Sequence, residues 1–248
     1  MIDTSRHNEE IAQNLEHWNK KPSLQKSYRA FHQLIAEQLA DVEHGQVVEL
    51  GSGIGNIKET IPDCIRTDLF DNPWIDQVEN AYDLSFADAS ISNLIMFDVF
   101  HHLRYPGTAL AEAYTACMPT GRLIIFEPCV SLLGLLVYGP LHAEPLAMKD
   151  KITWQAPDAW SAKEIDYYAA QGNASRVFLS KKYHELLKPW SIVHAQRISA
   201  FSYVATGGYS MPQLYPDSAY PLMRKLDRLL DYLPWLFATR LLVVLEKP

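Results

Sequence analysis

Residues 47–55, Val-Val-Glu-Leu-Gly-Ser-Gly-Ile-Gly, hold the densest chemistry in the chain. A short β-branched run ends in glycines at 51, 53 and 55. Glycine has no Cβ, so its backbone can lie directly against a ligand. A strand that runs into such a turn and then a helix puts the ligand at the strand's carboxyl end, where open parallel sheets bind small molecules. The spacing narrows the ligand. A dinucleotide loop needs glycine at its first, third and sixth positions, and the sixth here is Asn56. The Gly-Lys-Ser/Thr ending of a triphosphate loop is also missing. Glu49 stands two residues before the first glycine. An acid there suits a ligand with positive charge and repels a diphosphate.

A second group of residues can move protons. His101 and His102 are the only adjacent histidines, and they follow an apolar run that ends at Asp98. An imidazole near its ordinary pKa can take a proton from a hydroxyl or an amine. Asp68 and Glu127 end two other apolar runs. His142, His184 and His194 are far apart, so no metal-ligand set is expected. Cys64, Cys117 and Cys129 are odd in number and widely spaced, which fits neither a disulfide framework nor a zinc knuckle.

These side chains need elements to hold them. From Leu24 the apolar positions run Tyr28, Phe31, Leu34, Ile35 and Leu39, one helix face behind Pro22. The first 44 residues therefore read as helical, with Trp18 and Tyr28 as core packing. Strands are predicted at 46–50, 64–67, 77–79, 93–97, 122–126, 192–204 and 241–245. Helices are predicted at 54–61, 108–117, 162–171, 180–187 and 220–233. Residues 119–121, Pro-Thr-Gly, read as a turn, and 130–157 as a lid or insertion. Such alternation implies a mainly parallel sheet with helices on both faces.

Composition bounds the rest. The chain has 248 residues, 48% hydrophobic and 21% charged, with a net charge of −7. It lacks the general basic field of a nucleic-acid binder. The N-terminus is polar, with no secretory signal, and the longest apolar stretch, 130–141, is too short to cross a bilayer. A cytoplasmic location is expected.

Residues 49–55, Glu-Leu-Gly-Ser-Gly-Ile-Gly, resemble motif I of class I S-adenosylmethionine-dependent methyltransferases. Further motifs follow in register. Asp68, followed by Leu69, stands where that family keeps its ribose-binding acid. Asn80-Ala81-Tyr82-Asp83-Leu84-Ser85-Phe86 resembles the family's adenine-contacting stretch, with Asn80 in place of an aspartate. Asp98-Val99-Phe100-His101-His102-Leu103 resembles the segment after the fourth strand, and 110–125 the helix, turn and fifth strand. The likeness spans roughly 46–127 and is similar to the type 11 subgroup. One departure is the short stretch from Asp68 to Asn80, which leaves little room for the usual crossover helix.

The resemblance implies an α/β, Rossmann-like fold: seven strands, mostly parallel, helices on both faces, an N-terminal helical cap and C-terminal helical insertions. It implies one methyltransferase domain over 1–248, with a cap at 1–44, a cofactor-binding core at 45–127, and lid, acceptor-side insertions and closing strands at 128–248. S-adenosylmethionine is the implied cofactor. Glu49, Gly51, Ser52, Gly53, Gly55, Asp68, Leu69, Asn80, Ala81, Asp98 and Val99 are its implied contacts. His102, with His101, is the implied catalytic pair. The acceptor is expected to be a small molecule or lipid-like. An NAD-dependent oxidoreductase is a rival reading, opposed by Asn56 and by the lack of a Tyr-x-x-x-Lys pair. A non-catalytic S-adenosylmethionine-binding module is another. Residues 130–141 and 220–237 are apolar and aromatic. They are expected to pack on the sheet, and either to roof an apolar acceptor pocket or to touch a membrane weakly through nearby Lys149, Lys151, Arg224, Lys225 and Arg228.

Overall fold

Residues 91–97, 123–126 and 241–245 carry no charge. A strand apolar on both faces needs cover on both, so these runs belong in the middle of a sheet. The computed structural model, which describes residues 4–42, 44–164 and 167–248, places them there. In chain order the elements are α1 (Thr4–Lys20), α2 (Pro22–Ala36), β1 (Gln46–Leu50), β2 (Ile65–Asp68), β3 (Gln77–Val78), β4 (Ile91–Phe97), α3 (Pro106–Ala116) and β5 (Cys117–Pro128). Then follow α4 (Leu132–Tyr138), α5 (Asn173–Phe178), β6 (Ser191–Ile198), α6 (Phe201–Val204), α7 (Tyr220–Leu230), α8 (Pro234–Phe237) and β7 (Arg240–Glu246). The seven strands lie in the order β3-β2-β1-β4-β5-β7-β6. β1 to β5 run parallel, and β7 is antiparallel to both of its neighbours. This is the expected seven-stranded Rossmann-like sheet.

Side chains alternate between the two faces of a strand, and each face has its own core. On one face α2 contributes Leu24, Tyr28, Phe31 and Ile35 against Ile95, Phe97, Ile124, Phe126 and Val244. On the other, Ala109, Leu110 and Ala113 of α3 and Val177 and Phe178 of α5 cover Leu94, Met96, Leu123, Ile125 and Val243. Pro22 opens α2 at a position where a missing N–H leaves no bond unmade.

Several local expectations change. The helix predicted at 54–61 shrinks to one 3-10 turn, Asn56–Glu59. Gly53 and Gly55 both hold positive φ and consume the turn, and Pro62 disfavours helical backbone at Ile61. The turn at 119–121 is a bulge inside β5: the pairing with β4 jumps from Ile91↔Cys117 to Asn93↔Arg122. The strand predicted at 192–204 ends at Ile198, where acids on α7 and just after it take the backbone. Asp231 accepts from Ser199 N at 2.6 Å, and Asp227 from Ser202 N at 2.9 Å. No helix forms over the described part of 162–171; residues 165 and 166 lie outside the described residues. The helix starts instead at Asn173. As expected, no helix joins β2 to β3. Arg66 and Asp76 pin that short connection through a two-pronged ion pair.

Candidate functional site

The carboxyl end of β1 delivers Glu49 into a buried position. Burial pushes its carboxyl up to about 7, although a hydrogen bond from Ser52 works the other way. Its Oε2 has no hydrogen-bond partner in the protein. The loop then turns through Gly53 at φ 52°. A Cβ built there would meet no atom within 4 Å, so the space before it is open. That space belongs to a cavity of about 230 Å³. Glu49, Gly51, Ser52 and Gly53 line it from the loop, Phe97 and Asp98 from the end of β4, Tyr28 and His32 from α2, with Asn14, Asn56 and Tyr209 around the rim. Burial lowers His32 to about 4, so its ring is neutral, and its Nε2 is unpartnered. Asn56 Nδ2 is unpartnered as well.

A second cavity of about 360 Å³ lies beyond β2, lined by Leu69, Val78, Glu79, Asn80, Asp83, Ser85, Ala162 and Lys163. Asp68 links the two. Its Oδ2 accepts from Gly53 N at 3.1 Å, and its Oδ1 from Leu69 N at 2.7 Å. Asn80 reaches the other way, donating from Nδ2 to the Ala162 carbonyl at 2.8 Å. Of the eleven residues implied as cofactor contacts, five line the first cavity and Leu69 and Asn80 line the second. Asp68 stands between them. Gly55, Ala81 and Val99 line neither. Gly55 faces the Trp74 carbonyl, where a Cβ would come within 2.4 Å. Val99 packs against Gly51 in the same manner, and Ala81 packs on the core.

Beyond β4 the chain makes a tight turn, Phe100–His102, after Asp98 at φ 56°. Both Asp98 oxygens are held by Arg240, a fully buried guanidinium. His101 is buried, with Nδ1 2.7 Å from Glu127 Oε2. Burial opposes its charge, but Glu127 and Glu144 outweigh that and hold it protonated to about 10. Glu127 also accepts from Phe100 N at 2.6 Å. His102 donates from Nδ1 to the Tyr168 carbonyl at 2.9 Å. Burial and the neighbouring His101 charge lower its pKa, so it is the neutral member of the pair. Burial also disfavours charge on Glu144, yet His101 and His102 hold it well below the usual carboxylate range. Neither histidine lines the first cavity, but Asp98 does, and Asp98, His101 and Glu127 bring ligand atoms within 4.8 Å of one another.

Nothing local in the sequence points to His32, Tyr209, Glu144 or Arg240, and Asn56 stands out there only as the residue that breaks the dinucleotide pattern. His32, Tyr209 and Arg240 reach the site through α2, the loop after α6 and the last strand.

The strand order and glycine loop are those of the Rossmann-like fold found in S-adenosylmethionine-dependent methyltransferases. Residues 49–125 match the family model described as a methyltransferase domain. An S-adenosylmethionine-dependent methyltransferase from Thermotoga maritima is 12% identical, with TM-score 0.55, covering 98% of this chain and 100% of that one. Another from Archaeoglobus fulgidus is 12% identical, with TM-score 0.53, covering 90% and 94%. Geranyl diphosphate C-methyltransferase from Streptomyces coelicolor, solved with Mg2+, geranyl diphosphate and S-adenosylhomocysteine, is 10% identical, with TM-score 0.52, covering 88% and 79%. At these identities the likeness is one of fold. No curated protein matches the chain in sequence. Among the described residues no helix is long and apolar enough to cross a membrane.

The residues present fit the cofactor. An open glycine backbone faces three unpartnered polar atoms, Glu49 Oε2, His32 Nε2 and Asn56 Nδ2. Buried polar atoms without partners are rare, and three around one cavity mark a place for a polar ligand.

Proposed function

We propose that this chain moves a methyl group from S-adenosylmethionine to an oxygen or nitrogen of a small or lipid-like acceptor. The carrying observation is the convergence of the three unpartnered polar atoms on the open backbone of Gly53. In this reading Glu49 takes the cofactor's positive end, and Gly51, Ser52 and Gly53 let it approach the backbone. Asp68 holds the ribose, while Leu69, Asn80 and Ala81 border the adenine. Gly55, Val99 and Asp98 shape the loop and wall from behind. When bound, the cofactor supplies a methyl already activated by its sulfonium. The protein's work is then alignment and exclusion of water. His101 orients the turn through Glu127, and His102 offers its Nε2 lone pair to assist the acceptor.

A lipid-like acceptor is favoured by the surface of α4, α7 and α8. α7 lies inside out: Asp227 is 1% exposed, whereas Leu222 and Leu229 are 67% and 64% exposed. Leu132 and Leu136 of α4 and Trp235 of α8 are exposed too. Lys225 and Arg228 stand among the leucines. Neither of these two cavities is lined by 130–141 or 220–237, which favours a weak, peripheral surface contact over a roofed pocket.

Calorimetry with S-adenosylmethionine, S-adenosylhomocysteine and NAD tests the cofactor assignment. Binding of the first two alone supports it. Binding of NAD alone overturns it.

A further inference from the structure

We propose that His101, His102 and Glu144 bind a divalent transition-metal ion beside the cofactor cavity. Glu144 lies more than forty residues beyond the histidines, and only the segment after α4 brings it back to them.

The argument begins with tautomers. A carbonyl can only accept, so the contact with Tyr168 O fixes the His102 proton on Nδ1. Glu127 does the same for His101 Nδ1. Each ring then turns its Nε2 the other way, and both point to the Glu144 carboxylate. His101 Nε2 is 3.5 Å from one carboxylate oxygen, and His102 Nε2 is 3.8 Å from the other. These are long for hydrogen bonds. They suit ligands that share an ion: two donors about 2.1 Å from zinc stand roughly 3.4 Å apart at a tetrahedral angle. The three ligand atoms all lie within 4.8 Å of one another.

The outer contacts support the same reading. A ligating histidine almost always donates its second nitrogen to a carboxylate or a carbonyl, and the two histidines here show one case each. Glu144 is oriented in turn by Gln171 Nε2 and by the Tyr167 hydroxyl, the latter at 2.7 Å. Two imidazoles and one carboxylate favour Zn2+, Co2+ or Fe2+ over Mg2+ or Ca2+, which prefer all-oxygen sites. Three protein ligands leave a coordination position open. Asp98 brings a carboxylate oxygen within 4.8 Å of a His101 nitrogen and also lines the cofactor cavity, so the proposed ion would lie close to that cavity. An acceptor oxygen bound at the open position would be polarised by the ion. His102 would then assist the acceptor through the ion rather than by taking its proton directly. This last role rests on the methyl-transfer reading; the binding itself does not.

The rival arrangement is metal-free, with a second proton on His101 Nε2 in the ion's place. Titration decides between them. The full chain is stripped with a chelator and titrated near neutral pH with Co2+ alone, then with Zn2+. The proposal expects one Co2+ per chain, a visible d–d absorption band, and displacement by Zn2+. Glu144→Gln and His102→Ala should each weaken Co2+ binding by more than about tenfold. His184→Ala, at an exposed position remote in sequence, should leave it unchanged. No stoichiometric binding by the wild-type chain overturns the proposal, and so does binding indifferent to both ligand variants. Should Glu144→Gln fail to fold, His102→Ala and the wild-type spectrum still decide. Calorimetry on the stripped chain separates the two readings. Cofactor binding without metal binding sinks only the ion, and metal binding without cofactor binding sinks only methyl transfer.

Discussion

Arg240, on the last strand, grips both carboxylate oxygens of Asp98, 142 residues earlier in the chain. One contact measures 3.0 Å. The guanidinium is 2% exposed and lies against four rings: Tyr203 at 4.6 Å and Phe31, Phe97 and Phe126 each at 5.6 Å. Each face of those rings offers negative potential to a cation. Asp98 pays for its place with left-handed backbone, which costs on the order of 1–3 kcal/mol in a non-glycine residue. Arg240 holds it there, and so fixes one wall of the cavity that Glu49 and the glycine loop line.

Removing the cation should therefore both loosen the fold and weaken the site. Arg240→Met keeps most of the volume but leaves Asp98 without its partner. A loss of about 3 kcal/mol is expected, since breaking a buried pair from one side costs that order. Thermal unfolding should show a Tm lower by roughly 6–12 °C for a chain of this size. Asp98→Asn added to it should restore part of the loss. A Tm equal to wild type would show the pair to be without net effect.

Gly53→Val should abolish measurable cofactor binding while the fold survives. The Cβ would enter open space, so packing is not disturbed. The branch would stand where the ligand must lie, and the positive φ adds roughly 1–2 kcal/mol of strain. Circular dichroism checks the fold, and calorimetry with S-adenosylmethionine checks the loss. Wild-type affinity in the folded variant would remove the loop from the site.

Glu49 gives cofactor binding a pH signature. Its carboxyl titrates at about 7 in the free protein, and the ionised form is the one suited to a cation. Affinity should fall as pH drops below about 7, by up to tenfold per unit. Stability of the free protein runs the opposite way. The raised pKa favours the protonated fold, so this stabilisation is complete below the ordinary 4.5 and disappears as pH rises through about 7. Glu49→Gln should flatten both dependences, read by calorimetry and by thermal unfolding across that range.

His102→Ala should lower turnover far more than cofactor affinity. Loss of an assisting imidazole typically costs on the order of 100-fold or more in rate. Because His102 lines neither cavity, binding of S-adenosylmethionine should change little. Equal turnover with the true acceptor would leave the residue only its bond to Tyr168.

Liposome flotation tests the exposed leucines of α4 and α7. Binding to anionic vesicles is expected at low salt and should fade near physiological ionic strength, where the screening length is about 8 Å. Leu222→Ser with Leu229→Ser should abolish it, and Lys225→Glu should weaken it. The net charge of −7 keeps the contact weak. No flotation at low salt would remove the membrane contact.

Much of this architecture was legible in residues 46–127. The apolar runs at 91–97 and 123–126 announced central strands, and the glycines of 51–55 announced the loop. Glu49 stands out because it lies two residues before the first glycine, and Asp68 because it ends β2. Local pattern failed where distant partners decided the backbone. Acids on α7 and just after it drew residues 199–204 off the sheet, and nothing within 192–204 encodes Asp227 or Asp231. The same holds for Glu144 and Arg240. Their functions arise from contacts across 43 and 142 positions, which no window of neighbouring residues contains.

β7 follows every other strand in sequence yet takes an interior place between β5 and β6. During synthesis, β5 must therefore wait with an unpaired edge while β6 and the helices after it emerge, and a bare edge invites foreign strands. Arg240 arrives on that same late strand. A nascent chain stalled before residue 240 would hold the glycine loop but not the cation that sets Asp98. The Asp98 wall of the first cavity and the interior of the sheet are thus completed by the same late strand.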